Sequence, residues 1–225
     1  LYNAIIEAVA NGRTRMSEIA DLTHMESAKI AYAMNNLIAT GLLRREHAIT
    51  EEGNKRKTRY VLADQMFRFW YQFIAPFTDI IDFGRGDIHY EKVVKPRLAG
   101  YMGDVFEDMA RYYTLLLGTE GKLDCLVTSV GKWWGSNPRK REETDIDVVG
   151  LDRVEHQAVL GECKYKNELL DKKVFDQLRE RDGLINHRDR TVQFLLFSKS
   201  GFSDWVLTHQ EEASILPVTL EQMYQ

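Results

Sequence analysis

Four side chains in the second half of the chain, Glu107, Asp147, Glu162 and Lys164, have the types and spacing for phosphoryl chemistry at a divalent cation. Asp147 lies in Thr144-Asp145-Ile146-Asp147-Val148-Val149, and Glu162 and Lys164 lie in Gly161-Glu162-Cys163-Lys164-Tyr165. Both runs read as strands. Side chains at i and i+2 of a strand share a face, so Asp145 is expected to point with Asp147, and Glu162 with Lys164. If the two strands adjoin, these charges meet on a sheet that helices should cover, and burying them without partners would cost several kcal/mol. They need a metal ion or solvent. Mg²⁺ or Mn²⁺ takes carboxylate oxygens and keeps several waters, which leaves room for a phosphate and an attacking water. A nearby lysine stabilises the negative charge that develops. Charged strand residues more often line solvated edges, and a lone Glu-x-Lys is common. The conjunction of these residues with their chain order is what points to a site.

The elements that must position them follow from periodicity. Met102, Val105, Phe106, Met109, Tyr113 and Leu116 recur at helical spacing, predicting an amphipathic helix over 99–117 that carries Glu107. Strands are predicted at 123–130, 144–149 and 158–164, then a polar helix at 171–184 and a strand at 191–197. A weaker helix near 205–212, a strand at Ile215-Leu216 and a short terminal helix complete the domain. The core order is αβββαβ. Gln177, on the polar helix, is a supporting candidate with Asp145. Trp133 and Trp134 are expected in the loop between the first two strands, flanked by Lys132 and by Arg139-Lys140-Arg141, either forming a rim that stacks on a base or packing as ordinary apolar rings.

The first sixty residues organise differently. Tyr2, Ile5, Ile6 and Val9 mark a helix stopped by Asn11-Gly12, and Ser17 opens a short helix with Ile19 and Leu22. Thr23-His24-Met25-Glu26 has capping-box spacing before a third helix that ends at Gly41. There Ile30, Met34, Leu37 and Ile38 form one face, leaving Lys29, Tyr32 and Asn36 on another. Leu42-Leu43 and Tyr60-Val61-Leu62 bracket Arg44, Arg45, Lys55, Arg56, Lys57 and Arg59 around a turn at Glu52-Gly53-Asn54. This order resembles winged helix-turn-helix domains. The resemblance implies that Lys29, Tyr32 and Asn36 face the major groove while Lys55, Arg56, Lys57 and Arg59 of the wing contact phosphates. A winged helix used only for protein contacts is the alternative.

The expected division is a winged helix over 1–64, an aromatic-rich helical connector over 65–98 and the αβββαβ domain over 99–225. The connector run Asp64-Gln65-Met66-Phe67-Arg68-Phe69-Trp70-Tyr71-Gln72-Phe73 is expected to be buried between the domains, as packing and not as a base-stacking platform. The fold class is α/β, α+β overall, with a central mixed sheet. At 44% hydrophobic and 28% charged, the chain can bury a core, and its net charge of −4 excludes a uniformly basic nucleic-acid binder. No apolar run reaches the roughly 20 residues of a membrane span, which reads as a cytoplasmic protein without a membrane partner. Cys125 and Cys163 stand in apolar runs and read as buried thiols. Leu1 enters directly into a helical pattern, as in a piece of a larger protein.

From Gly100 to Phe197 the sequence resembles the PD-(D/E)xK phosphodiesterases, a restriction-endonuclease-like fold. More narrowly, Gly131-Lys132-Trp133-Trp134 with the Asp147 and Glu162 runs is similar to the C-terminal region of archaeal-type AAA+ ATPases. The resemblance implies that Asp147 and Glu162 bind Mg²⁺ or Mn²⁺, that Lys164 is the motif lysine and that Glu107 is the helical glutamate. Asp145 departs from the commoner Glu but keeps its charge. It further implies DNA as partner and an N-terminal AAA+ ATPase domain in the full protein. These residues contain no GxxxxGK[ST] loop, so no ATP site belongs to them. Oligomerisation is compatible with this reading. The expected function is the DNA-binding and nuclease-like part of an ATPase. The alternative is a catalytically inactive nucleic-acid-binding or assembly module.

Overall fold

The apolar spacing at the N-terminus produces three helices, α1 (Tyr2–Ala10), α2 (Met16–Thr23) and α3 (Ser27–Ala39), in a computed structural model that describes residues 1–51, 53–54, 58–138, 140–185 and 189–224. Ile5, Ile6, Val9, Ile19, Ile30, Met34 and Leu37 bury against Leu43 and Leu62 of an antiparallel hairpin, β1 (Leu43–His47) and β2 (Thr58–Leu62). Fully burying a side chain of this size contributes about 1.5–3 kcal/mol. Capping departs from the sequence reading. His24 takes a left-handed φ of 52° and ends α2, so Thr23 is still helical and its hydroxyl donates back to the Ile19 carbonyl at 2.7 Å. The cap bonds form at the other end of α2, where the Glu18 carboxylate accepts the Thr14 and Arg15 amides at 3.0 and 3.1 Å.

Asp64 caps α4 (Gln65–Phe69) by accepting the Met66 and Phe67 amides at 2.7 and 3.1 Å. A π-turn (Trp70–Ile74), a 3₁₀ turn (Ala75–Phe77), α5 (Thr78–Asp82), α6 (Gly86–His89) and a second π-turn (Tyr90–Val94) lead to the long α7 (Lys95–Thr119). Phe73 is fully buried, with the Arg97 guanidinium 4.8 Å from its ring centre, whereas Met66, Phe67 and Trp70 are exposed. Burial of the aromatic run is therefore confined to its C-terminal end. Lys95-Pro96 opens α7, which follows directly on the second π-turn.

The chain divides into two compact units, Leu1–His47 with Gly53–Leu98, and Ala48–Glu52 with Ala99–Gln225. Residues 65–98 thus belong to the first unit. The second holds a mixed five-stranded sheet, β3 (Ser129–Asn137), β4 (Glu142–Asp152), β5 (Gln157–Lys164), β6 (Arg190–Ser198) and β7 (Ile215–Thr219), in that spatial order. β3, β4 and β5 pair antiparallel, and β6 and β7 add in parallel. The helices α8 (Lys172–Glu180) and α9 (Asp204–Thr208) supply the connections between the parallel strands. Phe106, Ala110 and Leu117 of α7 pack with Val148, Val159, Leu195 and Phe197, while Phe175 and Leu178 of α8 and Val206 of α9 pack with Ile146, Val149, Leu160 and Leu196. The sheet is covered on both faces.

The first strand of this sheet begins later than its composition suggests. Residues 123–128 form a loop, because their backbone donors find other acceptors: the Leu126 amide donates to Asp152 Oδ2 at 3.2 Å and the Asp124 amide to Gln193 Oε1 at 3.3 Å. Trp133 and Trp134 accordingly lie in β3 and not in a loop, each only 5% exposed and packed in the core. The expected aromatic rim is absent at these two residues.

Candidate functional site

The candidate site lies where β4 leaves regular pairing with both neighbours. Gly131 pairs with Val149 and Trp133 with Ile146, so two β4 residues, Asp147 and Val148, oppose the single residue Lys132. This is a β-bulge, a device that re-aims side chains. It breaks the alternation of β4, placing Val148 in the α7 core and both Ile146 and Val149 in the α8 core. The Lys132 carbonyl accepts the Ile49 amide at 2.9 Å. On the other side the β4–β5 ladder ends at Val148–Gly161, and Asp147 Oδ2 accepts the Cys163 amide at 3.0 Å.

Glu107, Asp145 and Asp147, expected from the sequence to act together, meet around the Lys132 ammonium. Its Nζ lies 2.9 Å from Glu107 Oε2, 3.2 Å from Asp145 Oδ2 and 3.7 Å from Asp147 Oδ1. Burial alone would lower the affinity of this amine for its proton, but Glu107, Asp147 and Asp145 outweigh burial and hold its pKa well above the usual lysine value. Arg111, one turn beyond Glu107, donates to the Asp147 carbonyl at 2.8 Å and to Asp108 Oδ1 at 2.6 Å, and lies 3.5 Å from Glu107. Burial, then the charges of Glu162 and Glu107, raise the Asp147 carboxyl to about 7 against the opposing effects of Lys132 and the Cys163 amide.

Glu162 is 5% exposed and carries two cations, Lys164 Nζ on Oε1 at 2.6 Å and Arg181 Nη1 on Oε2 at 2.7 Å. Arg181, just beyond α8, also lines a cavity of about 170 Å³ with Gln177, Lys140, Thr144, Asn137, Glu142 and Glu180. Gln177 therefore stands in a cavity that shares Arg181 with Glu162.

The residues fit a hard divalent ion in donor chemistry: Glu107 from α7 and Asp145 and Asp147 from β4 turn carboxylate oxygens toward one cationic point. Among the described residues no group of three or more His, Cys, Asp or Glu side chains is close enough to hold a metal as it stands. The oxygens stand at lysine contact distances of 2.9–3.7 Å, longer than the roughly 2.0–2.6 Å of metal–oxygen bonds.

Residues 70–180 match the DUF234 family. Its description is archaeal and bacterial proteins of unknown function. The chain is also similar to an uncharacterized protein of Methanocaldococcus jannaschii, 28% identical over 201 residues, which cover 88% of this chain and 44% of that protein. The chain thus spans less than half the length of this curated relative. No solved structure matches it. The DUF234 match takes in Glu107, Lys132, Asp145, Asp147, Glu162, Lys164 and Gln177, and stops one residue before Arg181.

Sequence reasoning missed Lys132, Arg111 and Arg181 as members of the site. Arg111 had a signal, since Glu107 and Arg111 are four apart on one helix. Lys132 was visible in a basic cluster and in the Gly131–Trp134 run, but not as a partner of the carboxylates, because a bulge leaves no mark in composition. Arg181 had none.

In the first unit, Lys29 and Tyr32 are exposed on α3, Tyr32 by 68%. Asn36 is half-buried and donates to the Tyr2 hydroxyl at 2.8 Å. Arg59 is half-buried and pairs in register with Glu46. Lys55, Arg56 and Lys57, and Arg139 in the second unit, lie outside the described residues. No helix among the described residues is long and apolar enough to cross a membrane.

Proposed function

We propose that the second unit is a PD-(D/E)xK-type, divalent-dependent phosphodiesterase acting on DNA, and that the three helices and hairpin of the first unit are a winged helix that holds the duplex. The observation that carries this reading is the meeting of Glu107, Asp145 and Asp147 at one cation position, beside Glu162 and Lys164 on the next strand. The carboxylates would hold Mg²⁺ or Mn²⁺, which supplies Lewis-acid polarisation of the phosphate and activation of water. Lys164 places its ammonium beside Glu162, where it can meet negative charge on a phosphoryl oxygen. Arg181, held by the other oxygen of Glu162, orients that carboxylate and brings a second positive charge to the adjoining cavity. Asp147 is anchored through Oδ2 by the Cys163 amide, which limits the reorganisation needed to meet a ligand through Oδ1.

A larger protein in which an AAA+ ATPase domain drives this region is part of the same proposal. It is supported by the resemblance of the Gly131–Trp134, Asp147 and Glu162 runs to the C-terminal region of archaeal-type ATPases, and is compatible with a relative more than twice as long.

One observation favours the second reading, a non-catalytic binding or assembly module: Glu107, Asp145, Asp147 and Glu162 each have a cationic side chain within the fold. Plasmid DNA incubated with the protein and Mg²⁺ or Mn²⁺, beside its Asp147→Ala form, separates the two. Cleavage by the parent alone supports the phosphodiesterase. Equal silence of both, with duplex binding retained, supports the module.

A further inference from the structure

Three carboxylates from two elements share the Lys132 ammonium. Glu107 reaches it from α7, and Asp145 and Asp147 reach it from β4. Its backbone is tied down twice, by the bulge that sets Asp147 and Val148 opposite it and by the Ile49 amide on its carbonyl. Its side chain is only 15% exposed. A lysine stem has four rotatable carbons ending in a compact charge, so the amine can leave while the backbone stays in place.

We propose that the Lys132 ammonium is a resident cation occupying the position of the divalent ion in the proposed phosphodiesterase site, so that the metal binds only by expelling it. This inference rests on the metal-dependent reading given above. Charge supports exchange: Glu107, Asp108 and Asp145 bring three negative charges, and Asp147 a fourth once it is ionised, against two positive ones from Lys132 and Arg111. These two cations under-neutralise the group, and a divalent ion in place of the ammonium matches it better. Size supports it as well. Carboxylates held 2.9–3.7 Å from a nitrogen need to close by only about 1 Å to ligate a small cation. The Cys163 amide anchors Asp147 through Oδ2 while its Oδ1 is the most distant oxygen at 3.7 Å, so the ion would sit nearer Asp147 than the amine does, with Glu107 and Asp145 closing around it. The displaced amine would remain at the mouth of the site, available to a phosphate. Lys132 is then a positioning residue that sets how much divalent ion is needed, and the site is held closed in its absence.

The test is calorimetric titration of the metal-stripped chain with Mn²⁺ and with Ca²⁺, for the parent, Lys132→Met, Lys132→Gln and Asp147→Asn, read beside thermal melting with and without the ion. The expected result is that both Lys132 variants bind about tenfold or more tightly than the parent, since one competing positive charge is gone. They should also melt lower without the ion and gain more from adding it, whereas Asp147→Asn should bind more weakly than the parent. Lys132→Gln keeps a polar head and serves if Lys132→Met does not fold without metal. Equal finite affinities in the parent and the Lys132 variants, lost in Asp147→Asn, would overturn the resident-cation inference and leave the metal site standing. No binding by any form at millimolar ion would overturn the metal-dependent reading itself, and this inference with it.

Discussion

The side chain of Asp147 accepts the backbone amide of Cys163 at 3.0 Å, at the point where the pairing of β4 with β5 has ended at Val148 and Gly161. The bond stands in for a missing rung of the ladder. It lets the two strands part without leaving the Cys163 N–H unpaired, and it fixes a carboxylate in a nearly dry position beside Glu162.

That position gives Asp147 a distinctive pH dependence. An aspartate ordinarily ionises near 3.8, and burial, Glu162 and Glu107 raise this one to about 7. Between those values the folded chain keeps a proton that the unfolded chain has lost, so stability falls as pH rises from about 4 to about 7, and the penalty is complete above that. Asp147→Asn keeps an oxygen for the Cys163 amide and removes the titration. Without divalent ions it should be more stable than the parent at pH 8, by at most about 4 kcal/mol at roughly 1.4 kcal/mol per pH unit, with the gap closing toward pH 4. Urea denaturation at pH 5 and pH 8 measures this. Identical pH slopes in the two proteins would show that Asp147 is not held protonated.

Lys164 and Arg181 divide Glu162 between them, one on each oxygen, so their removal should have separable effects. Lys164→Ala removes the cation closest to the proposed reacting phosphate. It should lower any plasmid cleavage by about 100-fold or more while leaving Mn²⁺ affinity intact or higher. Arg181→Ala should weaken cleavage less, with part of the loss recovered by Arg181→Lys. Cleavage at the parental rate by Lys164→Ala would remove this cluster from the chemistry.

How much of this was legible in the sequence depends on the range of the interaction. Apolar spacing placed α7, β4, β5, α8 and β6, since each buries a stripe or face set by its own period. Alternation paired Asp145 with Asp147, and element order set Glu107 toward the expected Asp147 and Glu162 pair, but the meeting of Glu107, Asp145 and Asp147 at Lys132 was not foreseen. The bulge at Asp147–Val148 was not legible, because the extra residue exists only relative to β3, and no local composition records a pairing partner. Strict alternation is consequently a poor guide here: Ile146 and Val148 are two apart yet pack in different cores. The capping error at Thr23 has a similar origin, since Glu18 satisfies the start of α2 and the left-handed turn at His24 decides where that helix stops. The tryptophans were misplaced because side-chain acceptors, Asp152 and Gln193, take the backbone donors of an apolar segment that composition reads as a strand.

Arg56 and Lys57 carry a prediction that rests on sequence alone, as both lie outside the described residues. They belong to the basic run of the proposed wing, whose flanking strands β1 and β2 pair from Leu43–Leu62 to His47–Thr58. Replacing both with alanine should weaken duplex DNA binding and reduce the slope of log affinity against log salt by about 2, close to 0.9 per lost phosphate contact. Fluorescence anisotropy at several salt concentrations reads both quantities. An unchanged affinity and slope would exclude this run from the interface.

Asp152 tests the loop that the sequence reading took for a strand. The residue is 2% exposed, and its carboxylate accepts three amides: Val154 at 2.8 Å and Glu155 at 3.0 Å on Oδ1, and Leu126 at 3.2 Å on Oδ2. The Glu155 amide, then those of Val154 and Leu126, hold its pKa below the usual 3.8 against the effect of burial. For a carboxyl shifted in this direction the unfolded chain takes up the proton first, so the stabilisation is present above about pH 4 and is lost as pH falls through the folded value. Asp152→Ala removes all three acceptors at once. It should lower the melting temperature at pH 7 and free the 123–128 loop, seen as faster hydrogen exchange at the Leu126 amide. Asp152→Asn, which keeps one oxygen, should lose the Leu126 bond or the pair to Val154 and Glu155, but not both, and fall between the parent and alanine. As pH falls through the lowered folded-state value, the parent's advantage over Asp152→Asn should shrink, because its carboxylate then takes up a proton. If Leu126 exchanges at the parental rate in Asp152→Ala, the loop is held by its apolar contacts, and the carboxylate is incidental to it.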